Sequence, residues 1–243
     1  MKTYLIADSV RYPGMTTAQI REAYLIDALY EPGALHLAYI DLDRAVAGIA
    51  APLTSPIVLS ADKALRARYF TERREIGALS IGGVGLIHID GATHALENLD
   101  CLYIGRGAEK ISFESADPAA PAVFYLLSYP AHASYPVTLI RKDQADPLEL
   151  GSSETCNSRT VCKYIHLGGA KSCQLVMGVT HLHTGSAWNT MPAHTHMRRS
   201  EIYMYFNLGE ARVFHLMGPP EETRHIVMKD REVVVSPGWS IHA

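Results

Sequence analysis

Four cysteines in 243 residues, none of them spaced as CxxC, leave this chain with neither a disulfide framework nor a zinc knuckle. Cys101, Cys156, Cys162 and Cys173 are therefore expected as free, reduced thiols. An excess of one charge is missing too. Lys and Arg number 22 against 25 Asp and Glu, a formal net charge of −3, which excludes the basic footprint of a nucleic-acid or membrane-surface protein. No apolar run approaches a bilayer span, and residues 45–51 fall far short of one. Residues 1–8 lack the apolar stretch of a signal peptide, so a cytoplasmic location is expected. A glycine-rich phosphate loop and a strand–helix–strand rhythm are absent, which argues against a nucleotide-binding α/β fold. What is present, 48% hydrophobic and 19% charged residues, describes an ordinary globular chain able to fill one large or two small cores.

Residues 16–29 read as a helix, capped by Thr16 or Thr17, with Ile20, Tyr24, Leu25 and Ala28 near helical spacing and Pro32-Gly33 as its stop. Beyond it the pattern changes to short apolar segments separated by turn residues, at 34–40, 57–59, 78–81, 86–89, 102–104, 123–127, 174–179, 202–206, 213–217 and 233–235. Such a pattern predicts a mainly β protein of antiparallel sandwiches or barrels with few, short helices. Residues 129–172, rich in Pro, Ser, Asp and Gly, read as a long irregular connection between two β domains, 1–128 and 173–243. A faint internal repeat points the same way. Phe70-Thr71-Glu72-Arg73-Arg74-Glu75 lies over Thr195-His196-Met197-Arg198-Arg199-Ser200, and Lys110 falls where the second copy has His242. The first domain would share the architecture without the ligands, and Arg73-Arg74 would face solvent or another subunit.

The chemistry concentrates late in the chain. In a strand, residues i and i+2 share a face, so His194 and His196 converge. Glu201 has the wrong parity for the same uninterrupted strand. A turn through Met197-Arg198-Arg199-Ser200 corrects this, and His242 arrives behind the Pro237-Gly238 turn. Three imidazoles and a carboxylate suit zinc, iron, manganese or nickel. A second HxH pair, His181-Leu182-His183, has no carboxylate at a comparable offset and reads as structural or pocket-lining. Tyr203 and Tyr205 share parity with Glu201 and should face the same cavity.

The order HxH, Glu, PxxxxH resembles the two motifs of the cupin superfamily, small β-barrels that hold a metal inside. Trp239 stands where the second motif normally has glycine, and the step from His196 to Glu201 is slightly longer than usual. The runs Phe70 to Glu75, Pro130-Ala131-His132, Trp188-Asn189-Thr190-Met191-Pro192 and Glu222-Thr223-Arg224-His225-Ile226-Val227-Met228 resemble, more closely, the 5-keto-4-deoxyuronate isomerase family, also called 4-deoxy-L-threo-5-hexosulose-uronate ketol-isomerases. The resemblance implies a bicupin fold of two antiparallel barrels. It also implies a zinc ion, one per subunit, on His194, His196, Glu201 and His242, and a cytoplasmic homohexamer. The implied activity converts 5-dehydro-4-deoxy-D-glucuronate to 3-deoxy-D-glycero-2,5-hexodiulosonate in pectin breakdown. Arg224, Tyr203 and Trp188 are expected to bind the deoxyuronate, with Arg198 or Arg199 as further cations for its carboxylate. The proton carrier stays open among Glu222, His225, His183 and His215, with the first two put forward. The family continues some tens of residues beyond its last metal histidine, so the second barrel is expected to be truncated at Ala243. The alternatives are 5-deoxyglucuronate isomerase of inositol catabolism, an iron cupin dioxygenase and a non-catalytic metal-stabilised cupin.

Overall fold

A computed structural model describes residues 1–243. In chain order it places β1 (Lys2–Tyr4), α1 (Thr17–Tyr24), β2 (Leu25–Ile26), β3 (Leu35–Ile40), β4 (Ala45–Ala50), β5 (Ile57–Val58), β6 (Arg74–Ser80), β7 (Gly85–Ile89), β8 (Ala92–Leu96), β9 (Cys101–Ile104), β10 (Ile111–Ser115) and β11 (Phe124–Pro130). The chain continues through β12 (Thr138–Ile140), β13 (Asp146–Leu150), β14 (Arg159–Ile165), β15 (Met177–Leu182), β16 (Glu201–Met204), β17 (Val213–Gly218), β18 (Arg224–Met228), β19 (Val233–Ser236) and β20 (Ile241–His242). The protein is mainly β, and each apolar segment marked in the sequence overlaps a strand, although 174–176 precede β15 and 205–206 follow β16.

The largest sheet has seven strands in the order β1-β3-β4-β11-β6-β9-β12. Its central strands are buried along their whole length because both faces are covered, which is why they read as apolar runs without alternation. The period of two sorts their side chains between two cores. Val46, Ile76, Ala78, Leu102, Ile104, Phe124 and Leu126 enter one core with the four-stranded sheet β5-β10-β7-β8. Ala47, Ile49, Leu79, Tyr103, Tyr125 and Leu127 enter the other, with Tyr164, Ile165, Met177, Val233 and Val235 from the second half of the chain. At Gly77 a side chain would place its Cβ 2.6 Å from the Met177 sulfur, so glycine sets how closely β15 approaches the sheet.

The second half forms three small sheets, β13-β14-β15, β16-β19-β2 and β18-β17-β20. The helix begins where expected. Thr16 and Gln19 make a reciprocal capping box, with the Gln19 amide donating to Thr16 Oγ1 and the Thr16 amide to Gln19 Oε1. It ends at Tyr24, short of the expected residue 29, because Leu25 and Ile26 pair with Val234 and Val233 of β19. Ile20 and Tyr24 then pack with Met217, Ile226, Met228 and Val234, so the N-terminal helix seals a core of the C-terminal sheets.

Three further expectations are corrected. The pairing is not wholly antiparallel, since β1 runs parallel to β3 after the intervening chain has crossed to the other half. Residues 129–172 are not irregular but carry β12, β13 and β14; Pro147 hid β13, and it is tolerated because β13 is an edge strand. Arg74 does not face solvent. Its guanidinium is buried and donates to the Ser128 hydroxyl and to the Ser128 and Arg44 carbonyls, and burial pushes its pKa down to about 10.

A buried carboxylate ties the halves together. Glu75, at the solvent-free start of β6, accepts from the successive amides of Cys173, Gln174 and Leu175 at 2.7, 2.7 and 2.8 Å and from the Tyr103 hydroxyl at 2.8 Å. Three consecutive N–H groups pointing at one anion form a backbone nest, which holds the chain entering β15 against the large sheet.

Candidate metal centre

Glu201 opens β16 and sits opposite Ser236 at the end of β19. The chain turns through Pro237–Ser240, closed by the Ser240 amide on the Pro237 carbonyl at 2.9 Å, and returns as β20, where His242 stands opposite Met217 of β17. The segment bearing His194 and His196 lies outside any strand, contrary to expectation, and a turn does occupy Met197-Arg198. It is anchored to the Pro-Gly turn, since the His196 amide donates to the Gly238 carbonyl at 3.1 Å. A Cβ at Gly238 would collide with the His196 carbonyl, so glycine permits this close approach.

This scaffold brings His194, His196 and His242 together, with one ligand atom from each lying within 4.8 Å of the others. The Nε2 atoms of His194 and His196 are 3.1 Å apart. Tetrahedral geometry at a metal–nitrogen distance of about 2.0–2.1 Å separates ligand atoms by about 3.3 Å, so this spacing suits two donors to one ion. The Glu201 carboxylate lies alongside, Oε1 at 3.0 Å from His196 Nε2 and Oε2 at 3.5 Å from His242 Nε2. The Arg199 Nη2 and Nε groups donate to Oε1 at 2.6 and 2.9 Å, and the Tyr203 hydroxyl donates to Oε2. The two Arg199 bonds occupy both lone-pair sites of Oε1, whereas Oε2 accepts one bond and keeps its second site, so these contacts orient Glu201 and leave Oε2 free to serve as a ligand. Exposure falls along the cluster, from the open His194 through the half-buried His196 and Glu201 to the buried His242.

The protonation states favour a cation. Burial, partly offset by Glu201, holds the His196 and His242 imidazoles below their ordinary pKa, so both rings are neutral at neutral pH and able to coordinate. Burial opposes the charge on Glu201, but the Tyr203 hydrogen bond, His242 and Arg199 outweigh it and keep the carboxyl below the usual range. Burial, and then Glu201, raise the Tyr203 hydroxyl well above its ordinary value, so it remains a donor. These residues fit a divalent ion held by three imidazoles and a carboxylate.

Other expected site residues divide. Tyr203 reaches the cluster, its ring 5.6 Å from that of His242. Tyr205 continues the row and meets the His215 Nδ1 at 2.9 Å. Arg199 is engaged by Glu201, whereas Arg198 is exposed. Arg224 is held elsewhere: it donates to the Met15 carbonyl and to Thr17 Oγ1 and fastens the N-terminal segment to β18. Glu222 and His225 are exposed, and the His225 ring packs on Phe214, 5.3 Å away, on the outer face of β17 and β18. Neither joins the cluster, because His225 has the opposite parity to the inward Ile226. Trp188 lies exposed on the loop after β15, its amide on the Cys156 carbonyl at 3.1 Å. The His183 ring is taken up by the Ser158 and Thr160 hydroxyls, as the structural reading of that pair expects. No sequence pattern marked Asp43, which accepts from the Ser200 hydroxyl at 2.5 Å and steadies the residue before Glu201 from the first half of the chain.

His215 lends itself to a pH test. Burial pushes its imidazole from 6.5 down to about 3, so the folded state stays neutral where the unfolded chain takes up a proton. The folded pKa is depressed, so acidification favours unfolding below pH 6.5, by about 1.4 kcal/mol per pH unit until about pH 3, and has no such effect above. Urea titrations at pH 7 and 5 should therefore show a smaller acid loss for His215→Gln than for the native protein. Equal losses would refute this.

A sequence model of the KduI/IolB family matches residues 31–243. The chain is 51% identical over 229 residues to the 4-deoxy-L-threo-5-hexosulose-uronate ketol-isomerase of Lachnoclostridium phytofermentans, covering 94% of this chain and 83% of that one. It is 49% identical to the enzyme of the same name from Shouchella clausii, at the same coverage of each. Among solved structures, an IolB-like protein from Salmonella typhimurium superposes with a TM-score of 0.69 at 14% identity, covering 90% of this chain and 87% of that one. Oxalate decarboxylase of Bacillus subtilis superposes with a TM-score of 0.56 at 11% identity, covering 88% and 69%. At those identities the two structures speak for the fold alone.

Proposed function

The chain belongs to the KduI/IolB family, and from that premise we propose that it is an isomerase, the ketol-isomerase of 4-deoxy-L-threo-5-hexosulose uronate. The observation that carries this reading is the convergence of His194, His196 and His242 beside Glu201 in a chain half identical to enzymes of that name. The product is 3-deoxy-D-glycero-2,5-hexodiulosonate, and the pathway is polyuronate catabolism.

The reaction moves a carbonyl from C1 to C2. A proton leaves the carbon alpha to the carbonyl and one returns to its neighbour, with negative charge on oxygen between the two events. Zinc, one per subunit, is the ion proposed for the cluster, where it would polarise the carbonyl and its neighbouring hydroxyl oxygen as a Lewis acid. The protein's part is to prepare that position. His196 and His242 stay unprotonated, Tyr203 fixes Glu201 through a hydroxyl that does not ionise, and Arg199 balances the carboxylate's charge. The fall in exposure from His194 to His242 gives the substrate one side of entry.

The same reading takes the two halves as a bicupin, with a metal-free unit at 1–128 and the metal-binding unit at 173–243. It places the protein in the cytoplasm as a homohexamer. The alternative substrate is 5-deoxyglucuronate, so both uronates belong in the assay. Freshly prepared 4-deoxy-L-threo-5-hexosulose uronate should be converted by the zinc-loaded protein and not after dialysis against a chelator, with activity returning on adding zinc. Conversion that survives complete metal removal would refute the metal-dependent reading, and conversion of 5-deoxyglucuronate alone would reassign the substrate.

A further inference from the structure

The deepest end of the cluster carries an atom that nothing in the protein uses. Glu201 and Tyr203 alternate onto one face of β16, and Tyr205 follows in the same parity. His215 comes from β17, two residues before Met217, whose register partner is His242, so parity places His215 and His242 on one face of their sheet. The Tyr203 ring neighbours both, 5.6 Å from the His242 ring and 5.7 Å from the His215 ring. His215 is wholly buried, and its Nε2 has no hydrogen-bond partner.

The tautomer follows from counting donors. If the Tyr205 hydroxyl donates to Nδ1 across the 2.9 Å between them, one group remains unpaired, the Nε2–H. If Nδ1–H donated instead, both the Tyr205 hydrogen and the Nε2 lone pair would be stranded. The first arrangement leaves His215 as a neutral ring presenting one free N–H, and buried polar groups of this kind are as a rule paired.

We propose that the Nε2–H of His215 donates a hydrogen bond to a substrate oxygen that gains negative charge during isomerisation, with Tyr205 as the positioning residue that fixes the tautomer. The inference rests on the isomerase reading of the histidine cluster. A preorganised neutral donor stabilises a developing oxyanion without a proton leaving the ring, and it adds no positive charge beside a bound cation. The reacting oxygens would then lie between the cluster on one side and His215 on the other.

Three variants of the zinc-loaded enzyme test it. His215→Leu should lower kcat about 100-fold with little change in KM, as loss of one oxyanion donor does. His215→Gln, whose amide N–H reaches toward the same point, should recover to within about tenfold of native, and Tyr205→Phe should lower kcat about fivefold. Zinc content should be unchanged in all three. In the imidazole 1H–15N spectrum, native His215 should show an Nε2–H signal that moves on adding the borohydride-reduced alditol of the substrate, and Tyr205→Phe should mix the tautomers. Equal loss in the Leu and Gln variants, loss of zinc with either, or a signal unmoved by the alditol would overturn the proposal. A native protein that fails to isomerise the uronate would instead overturn the isomerase reading, and the alditol-dependent signal would then decide His215 by itself.

Discussion

Replacing His242 with alanine should abolish stoichiometric zinc binding and lower kcat/KM by at least about 10³-fold, the equivalent of about 4 kcal/mol of lost transition-state stabilisation. His242 is the innermost imidazole of the cluster, buried against β17 and 3.5 Å from the Glu201 carboxylate. The alanine would leave a void that isolates one oxygen of Glu201 from its neighbour. His194→Ala should be the milder change, because that ring is exposed and water can take its position. Zinc content by elemental analysis and steady-state kinetics on the same preparations check both. A His242→Ala protein that retains zinc and turnover within threefold of native would remove the metal centre from the mechanism.

Replacing Glu75 with alanine should lower the midpoint of thermal unfolding by about 6–20 °C, from a loss of about 3–5 kcal/mol and a sensitivity of about 2–4 °C per kcal/mol in a chain of this size. The carboxylate is the hydrogen-bond acceptor for the amides of Cys173, Gln174 and Leu175 and for the Tyr103 hydroxyl. Its removal strands four donors, of which the Leu175 amide and the Tyr103 hydroxyl are buried and the Cys173 and Gln174 amides part-buried, and an unmade buried bond costs more than a made one contributes. Glu75→Gln should lie between, since its carbonyl oxygen accepts while its amide group opposes a backbone N–H. Scanning calorimetry of the three proteins reads the order directly. An alanine variant within 2 °C of native would show that the nest is satisfied in some other way.

Much of this was legible in the residues. Strands such as β7 and β17 announced themselves as short apolar segments bounded by turns, and the approach of His194, His196 and His242 to one another by their spacing around the turn after His196. What could not be read was where competing interactions won. Leu25 and Ala28 fit a helix by spacing, yet the pairing of Leu25 and Ile26 with β19 ended it at Tyr24. Pro147 argued against a strand that its edge position allows. Arg224 sits in a run specific enough to indicate a family, but its work is to hold Met15 and Thr17, a contact that exists only once the chain has folded back. Asp43 reaches Ser200 across the whole chain, and no local pattern carries such a contact. Fold class and the gathering of the histidines are written in periodicity and spacing; supporting contacts are written in tertiary packing.

The seven-stranded sheet has a consequence for how the protein comes apart. Alternate side chains of one strand serve opposite cores, as Val46 and Ala47 do on β4. Neither core can open without baring one face of the same strands, so heat or denaturant should melt both halves in a single cooperative step. The two halves behave as neighbours sharing a party wall. Expressed alone, the first would present an oily face to solvent, and the second would lack the surface on which its strands are laid.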